Sequence, residues 1–256
     1  MDVYMSYKTK RTPSDLVYNC HSLALYLAKR HYKKVFFITD DVGRKFFKDL
    51  LFYDVTTEMN GVPESKMWAL GKLETYKIAA GRRKEFIHID YDVFLWKKLP
   101  TNIELSSVIV QSYESIGGYI DLDAFLDKFP EYYMKTPYAS TMGIFGGSHF
   151  EFIKKYADIA IKLSTSPLYA EFFNEHPYIL RMAIIIEQYM ICALAQKDNI
   201  ELTPLLSKSC IMQITPEICE KEAERIGFSH LGQMKNEEYY RNRVKTRCIE
   251  FNIPYK

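Results

Sequence analysis

The chain has 256 residues, with 34 lysines and arginines against 32 aspartates and glutamates, for a formal net charge of +2. At 48% hydrophobic and 26% charged residues the composition is globular, which excludes disordered, collagen-like and disulfide-scaffold chains. So even a balance creates no broad field for a phosphate backbone, and no nucleic acid partner is expected.

Residues 3–7 read as a short first strand. Thr12-Pro13-Ser14-Asp15 then carries the signs of a helix start, with Thr12 as cap, Pro13 first and Asp15 closing a capping box, and predicts a helix over 13–31. The N-terminus has early charges and no long apolar core, so no signal peptide is expected. Residues 34–39 form a short β-branched and aromatic run of the kind buried in a parallel sheet, and Asp40-Asp41-Val42-Gly43 turns into a second helical stretch. An amphipathic helix is predicted over 65–80, a break at 81–84, and another buried strand over 85–89 that ends in Asp90. Strands at 107–111 and 142–145 and helices at 122–135, 149–163 and 180–196 continue the pattern.

Alternation of this kind implies an α/β fold, a Rossmann-like open and mostly parallel twisted sheet flanked by helices. No linker, repeat or low-complexity block divides the chain, so one domain is expected over 1–256, with an α/β core at 1–203 and a helical C-terminal appendage at 204–256. The appendage ends in a charged helix at 237–251. Its basic side chains Arg241, Arg243, Lys245 and Arg247 read as a solvated face, with acidic glycan or lipid headgroups as the alternative. No apolar stretch approaches the ~18 residues of a membrane span, so the protein is expected to be cytoplasmic and not transmembrane, with peripheral membrane association left open. The five cysteines, Cys20, Cys192, Cys210, Cys219 and Cys248, are odd in number and widely spaced, and read as buried or incidental thiols.

The strongest chemical signal is Phe86-Ile87-His88-Ile89-Asp90-Tyr91-Asp92, an apolar strand that terminates in Asp-x-Asp. Ligands of open α/β sheets bind at the carboxyl ends of the strands, and paired carboxylates suit magnesium or manganese, above all where the ion also holds a diphosphate. The other Asp-x-Asp, Asp121-Leu122-Asp123, opens a helical pattern and reads as a cap. Trp68, Lys72 and Tyr76 recur at spacing four, within an arc of about 80° on one helix face. Ser140-Thr141-Met142-Gly143-Ile144-Phe145-Gly146-Gly147 is a small-residue strand that permits close approach to the backbone. Glu187-Gln188 puts a carboxylate inside an apolar helix, where it demands a partner or a purpose. No Ser-His-Asp order, P-loop or GxGxxG after a strand occurs.

Taken together these segments resemble the GT-A fold glycosyltransferases, in particular retaining family 8 and related Asp-x-Asp nucleotide-sugar transferases. Lys72 matches the family's basic residue on the helix before the Asp-x-Asp strand, although it stands 18 positions ahead of Asp90, slightly more than in the family. Gly146 and Gly147 lie in the strand that matches the family's Asn-Ala-Gly segment, where Thr141 replaces the Asn. Glu187-Gln188 is similar to the family's Asp-Gln pair, and His230 with Lys235 to its C-terminal His-x-x-Gly-x-x-Lys. That last match has one residue fewer between His230 and Gly232 and lacks the following Pro-Trp.

The resemblance implies a metal-dependent transfer of a sugar from a nucleoside diphosphate sugar, taken as a UDP-sugar, to the hydroxyl of a glycan, lipid-linked or protein acceptor in glycan or polysaccharide assembly. It implies a hexosyltransferase that retains the anomer. Asp90, Asp92 and His230 would hold Mn2+ or Mg2+. Tyr4, Ser6, Trp68, Lys72, Tyr76, Tyr91, Gly146, Gly147 and Lys235 would contact the nucleotide-sugar, and Glu187 and Gln188 would sit at the anomeric carbon as catalytic residues. A GT-A-like binding module without turnover and an interaction domain built on the 20 tyrosines are the alternatives.

Overall fold

The computed structural model describes residues 1–8, 13–63, 67–104, 107–119, 122–130, 135–175, 183–207 and 216–256. Strand and helix alternate through its first half: β1 (Asp2–Tyr7), α1 (Asp15–His31), β2 (Val35–Thr39), α2 (Asp41–Phe46), β3 (Asp54–Thr56), α3 (Leu70–Gly81) and β4 (Phe86–Ile89). The second half runs β5 (Val93–Leu95), α4 (Thr101–Glu104), β6 (Val108–Ser115), α5 (Leu122–Lys128), β7 (Tyr138–Gly147), α6 (Phe150–Ser164), α7 (Pro167–Glu175), α8 (Met190–Lys197), β8 (Thr203–Pro204), α9 (Pro216–Ile226), β9 (Phe228–His230) and α10 (Glu238–Glu250).

Seven strands form one sheet in the order β3-β2-β1-β4-β7-β6-β8, and β5 pairs separately with β9. Strands β1 to β4 run parallel, as does β8 to β6, while β7 runs antiparallel to both neighbours. The open, mostly parallel α/β sheet expected from the sequence is the fold. Val35–Thr39 is buried throughout, the pattern of an interior strand covered on both faces. On β1 the alternation is plain: Tyr4 joins one hydrophobic cluster with α3 and α6, whereas Val3 and Met5 join the other, under α1. Each large side chain so buried, such as Leu23 or Leu27 of α1, contributes about 1.5–3 kcal/mol.

Several boundaries differ from the sequence reading. Helix α1 is capped by Ser14, whose hydroxyl accepts from the Val17 N–H at 3.4 Å, so Pro13 precedes the helix; Thr12 lies outside the described residues. Helix α3 starts at Leu70, which leaves Trp68 in the turn before it, and residues 65 and 66 lie outside the description. The strand predicted at 142–145 is the middle of the ten-residue β7. Of the helix predicted over 180–196, residues 180–182 lie outside the described set, and Ile185–Tyr189 is a π-helical turn that leads into α8. Among the described residues after 203 the chain is not helical alone, since β8 adds to the main sheet and β9 reaches back to β5. Cys20, Cys192 and Cys248 are buried free thiols, whereas Cys210 and the Cys219 side chain lie outside the description. Burial pushes the Cys192 thiol up to about 12.

Gly146 is required by the sheet. A Cβ built there would lie 2.1 Å from the Phe86 carbonyl oxygen of β4 and 2.8 Å from the Ile87 Cα, both backbone atoms that cannot step aside. Gly146→Ala is therefore expected to cost about 3 kcal/mol, the upper end for overpacking. A thermal melt within 2 °C of the wild type would show that β4 and β7 can separate, roughly the shift of under 1 kcal/mol in a chain of this size.

Candidate active site at the β1–β4 switch point

The strand order reverses between β1 and β4, so their carboxyl ends frame a crevice at a topological switch point. A cleft of about 940 Å3 fills it. Ser6 and Tyr7 reach it from the end of β1, Asp90, Tyr91 and Asp92 from the turn after β4, and Thr141, Met142 and Gly143 from β7. Trp68, Gly71 and Lys72 line it from the start of α3, Gln188 from the π-helical turn, and His230, Gly232 and Lys235 from the C-terminal region.

Backbone bonds fix the Asp-x-Asp turn from three sides. The Asp90 N–H donates to the Gly143 carbonyl at 2.9 Å, the Val93 N–H to the Asp90 carbonyl at 3.0 Å, and the Leu231 N–H to the Asp92 carbonyl at 3.0 Å. Pairing of β5 with β9 sets Val93 opposite His230, which brings an imidazole across 138 positions of chain to the two carboxylates (230 − 92 = 138). One ligand atom each from Asp90, Asp92 and His230 lies within 4.8 Å of the others. Gly143 makes room for this: a Cβ there would stand 2.7 Å from the His230 ring. Two carboxylates and one imidazole, converging on a point, fit a divalent cation of the manganese or magnesium kind.

Two lysines neutralise the acids from opposite sides. Lys72 Nζ lies 2.9 Å from Asp90 Oδ1, donates to the Met142 carbonyl at 3.2 Å, and forms an ion pair with Glu187. Lys235 Nζ lies 2.7 Å from Asp92 Oδ2 and 5.5 Å from the centre of the Tyr91 ring, and His230 Nε2 lies 3.6 Å from Asp92 Oδ1. Burial pushes the Asp90 carboxyl up, against the pull of Lys72. Asp92 is buried as well, yet His230 and Lys235 hold its carboxyl below the usual range.

Glu187 is fully buried, and among the described residues its oxygens have no partner besides the Lys72 ion pair. Burial pushes its carboxyl up to about 7, while Asp90 and Glu187 hold the Lys72 ammonium above its ordinary range in spite of burial. The π-helical turn accounts for the placement, since the wider turn carries Glu187 inward to Lys72 and Gln188 to the cleft wall. Its loosened backbone is satisfied from outside: the Tyr156 hydroxyl donates to the Glu187 carbonyl at 2.6 Å. Gln188 Oε1 accepts from the Tyr119 hydroxyl at 2.8 Å.

The structure thus gathers Ser6, Trp68, Lys72, Asp90, Tyr91, Asp92, Gln188, His230 and Lys235 around one cleft, with Glu187 directly behind Lys72. It places four expected contacts elsewhere. Tyr4 is stacked on Phe36 at 4.9 Å and takes a hydrogen bond from Arg82, because its position on β1 points to the α3 face. Tyr76 is fully buried one turn beyond Lys72, edge-on to His88. Gly146 and Gly147 sit within the sheet opposite Ile87 and Phe86, so their close neighbour is the β4 backbone. Of the second Asp-x-Asp, Asp121 lies outside the described residues and Asp123 is exposed in the first turn of α5. Sequence reasoning missed the particular use of Gly143, although a glycine inside an apolar strand is a sign of close approach. It also missed the β5–β9 pairing, for which two three-residue strands gave no readable period.

Fold and site define an α/β protein with an acidic, lysine-flanked cleft at the switch point of its sheet, able to hold a cation. The chain belongs to DUF6734, a family of unknown function, whose model matches residues 13–254. No curated protein matches it. In structure it is similar to apo mouse xyloside xylosyltransferase 1, at 8% identity over 86% of this chain and 92% of that one, with a TM-score of 0.44. It is also similar to a glycosyltransferase involved in glycosylation of the major capsid of PBCV-1, at 12% identity over 96% and 100% of the two chains and a TM-score of 0.48. A third likeness is to the galactosyltransferase LgtC with donor and acceptor sugar analogues, at 12% identity over 74% and 71% and a TM-score of 0.42. All three are named as glycosyltransferases. Among the described residues no helix is long and apolar enough to cross a membrane.

Proposed function

We propose that the chain is a metal-dependent glycosyltransferase that moves a sugar from a nucleoside diphosphate sugar, a UDP-sugar first, to an acceptor hydroxyl. The observation that carries this reading is the convergence of Asp90, Asp92 and His230 within 4.8 Å at the switch point, with Lys72 and Lys235 against the acids. Asp90, Asp92 and His230 would hold the cation, which when bound supplies positive charge to the departing diphosphate. Lys235 and Lys72 add their own charge beside the diphosphate. Ser6 and the half-exposed Trp68 offer a hydroxyl and a ring face to the nucleoside. Gln188, held by Tyr119, presents its amide to the sugar at the far wall. Glu187 acts through Lys72, whose ammonium it fixes between two carboxylates, rather than by contact with the sugar. Retention of the anomer and a hexose as the transferred unit are part of the same proposal.

The test is thermal stability against a panel of nucleoside diphosphates and nucleotide sugars, each with and without manganese. A ligand that binds only the folded state at a hundredfold excess over Kd stabilises by about 2.7 kcal/mol, about 5–10 °C for a chain of this size at ~2–4 °C per kcal/mol. A shift that needs both UDP and manganese supports the proposal. A shift with nucleotide alone would make the cleft a binding module without the metal, and flat curves in folded protein would remove the nucleotide reading.

A further inference from the structure

Behind the cleft lies a second groove of about 650 Å3, framed by β5, the turn from α9 to β9, and α10. We propose that it binds an amphiphilic anion: a single alkyl chain that ends in a phosphate-like head. Its floor is mostly apolar, with Leu23, Phe94, Leu206 and Val244 all nearly fully buried and Gln111 a buried polar side chain among them. Its mouth is cationic. Lys97 enters from the end of β5, and Arg243 and Arg247 stand one turn apart on the same side of α10. Against these three, Glu224 is the acid among the lining residues. Arg243 donates to the Tyr239 hydroxyl at 3.1 Å, a neutral partner that leaves its charge to attract an anion, while Arg247 is paired with Glu250 at 2.6 Å.

The chemistry selects among occupants. A sugar seated on this floor would leave most of its hydroxyls unpaired, and buried unpaired polar groups are costly. A free phosphate would use the three cations but none of the floor. An alkyl chain with an anionic head uses both, through burial of its methylenes and charge-assisted hydrogen bonds to its head. His230 lines this groove as well as the cleft, so the two share the wall formed by β9. The groove's binding does not depend on the function proposed for the cleft, and its test contains neither nucleotide nor metal.

Octyl phosphate below its micellar concentration, titrated calorimetrically into the whole chain, is expected to bind saturably at one site. Inorganic phosphate and octyl glucoside should each bind at least roughly tenfold more weakly, as should octyl phosphate to an Arg243→Glu/Arg247→Glu variant. Ala223→Phe, which fills the groove without reaching the cleft, should abolish binding in protein that melts like the wild type. The proposal is overturned by absence of saturable heat in folded wild-type protein, by equal affinity for octyl phosphate and octyl glucoside, or by binding that survives both variants. Association with phosphatidylglycerol vesicles without binding of monomeric octyl phosphate overturns it too, since it would locate recognition on the exposed surface of α10.

Discussion

An Asp92→Asn variant is expected to lose roughly a thousandfold in metal-dependent kcat/KM, about 4 kcal/mol of transition-state stabilisation. Asp92 is 2% exposed and touches both His230 and Lys235, so it is the residue on which the cleft's charges converge. The amide keeps the shape of the side chain but gives up the negative charge and one acceptor, which a hard cation needs. Lys235 loses its carboxylate partner but is partly solvated and can hydrate, so the melting temperature should move little. Manganese titrated into wild type and variant, followed by donor turnover, checks both halves. If the variant keeps its manganese dependence with an unchanged melt, Asp92 is not a ligand and the metal assignment fails. If turnover falls only because the protein unfolds, the melt reveals it.

Most of the sheet's first half could be read from the sequence because local signals and tertiary roles agree there. Val35–Thr39 is apolar at every position, and it is an interior parallel strand. Asp40 stands in the sequence at a turn into a helix and caps α2, its carboxylate accepting from the Gly43 N–H at 2.7 Å. What could not be read is direction and partnership. The sequence marks 142–145 as a short strand, but does not show that β7 runs against its neighbours, starts at Tyr138 or continues to Gly147. The β5–β9 pair joins segments too short for any periodicity, yet it is what carries His230 to the acids.

The candidate site divides along the same line. Asp90 and Asp92 stand out because a charged pair directly after a buried strand is hard to explain by packing alone. Trp68, Lys72 and Tyr76 share a spacing, but the helix begins at Leu70, which frees Trp68 toward the cleft while Tyr76 goes to the core. A helical stripe therefore overstates what one face can deliver when its first member lies in a turn. Gly146 and Gly143 show the opposite error: both are glycines forced by close approach, and only the structure tells that one meets backbone and the other the side chains of Gln111 and His230.

Lys72→Met is expected to destabilise the fold by about 3–5 kcal/mol at pH 8, the cost of breaking a buried ion pair from one side. At ~2–4 °C per kcal/mol, that is a fall of about 6–20 °C in melting temperature. The reason lies with Glu187, which is fully buried and has no other partner for its charge among the described residues. Its carboxyl is raised from an ordinary 4.5 to about 7 even with Lys72 in place. Between those two values the folded state holds a proton that the unfolded state has released, so stability falls as pH rises through the window, by about 3 kcal/mol in all. Without Lys72 the carboxyl rises further and stays neutral over a wider range, so the variant's deficit should shrink at pH 5. Glu187→Gln in the Lys72→Met background should recover at least half of the loss at pH 8, because the amide is neutral without taking up the proton that the buried acid must hold there. Glu187→Gln alone leaves Lys72 bound to Asp90 and the Met142 carbonyl and should cost less than Lys72→Met. Melts of the four proteins at pH 5 and pH 8 close the cycle. A deficit in Lys72→Met that is the same at both pH values, and untouched by Glu187→Gln, would show that Lys72 stabilises the fold through Asp90 and not through the buried acid.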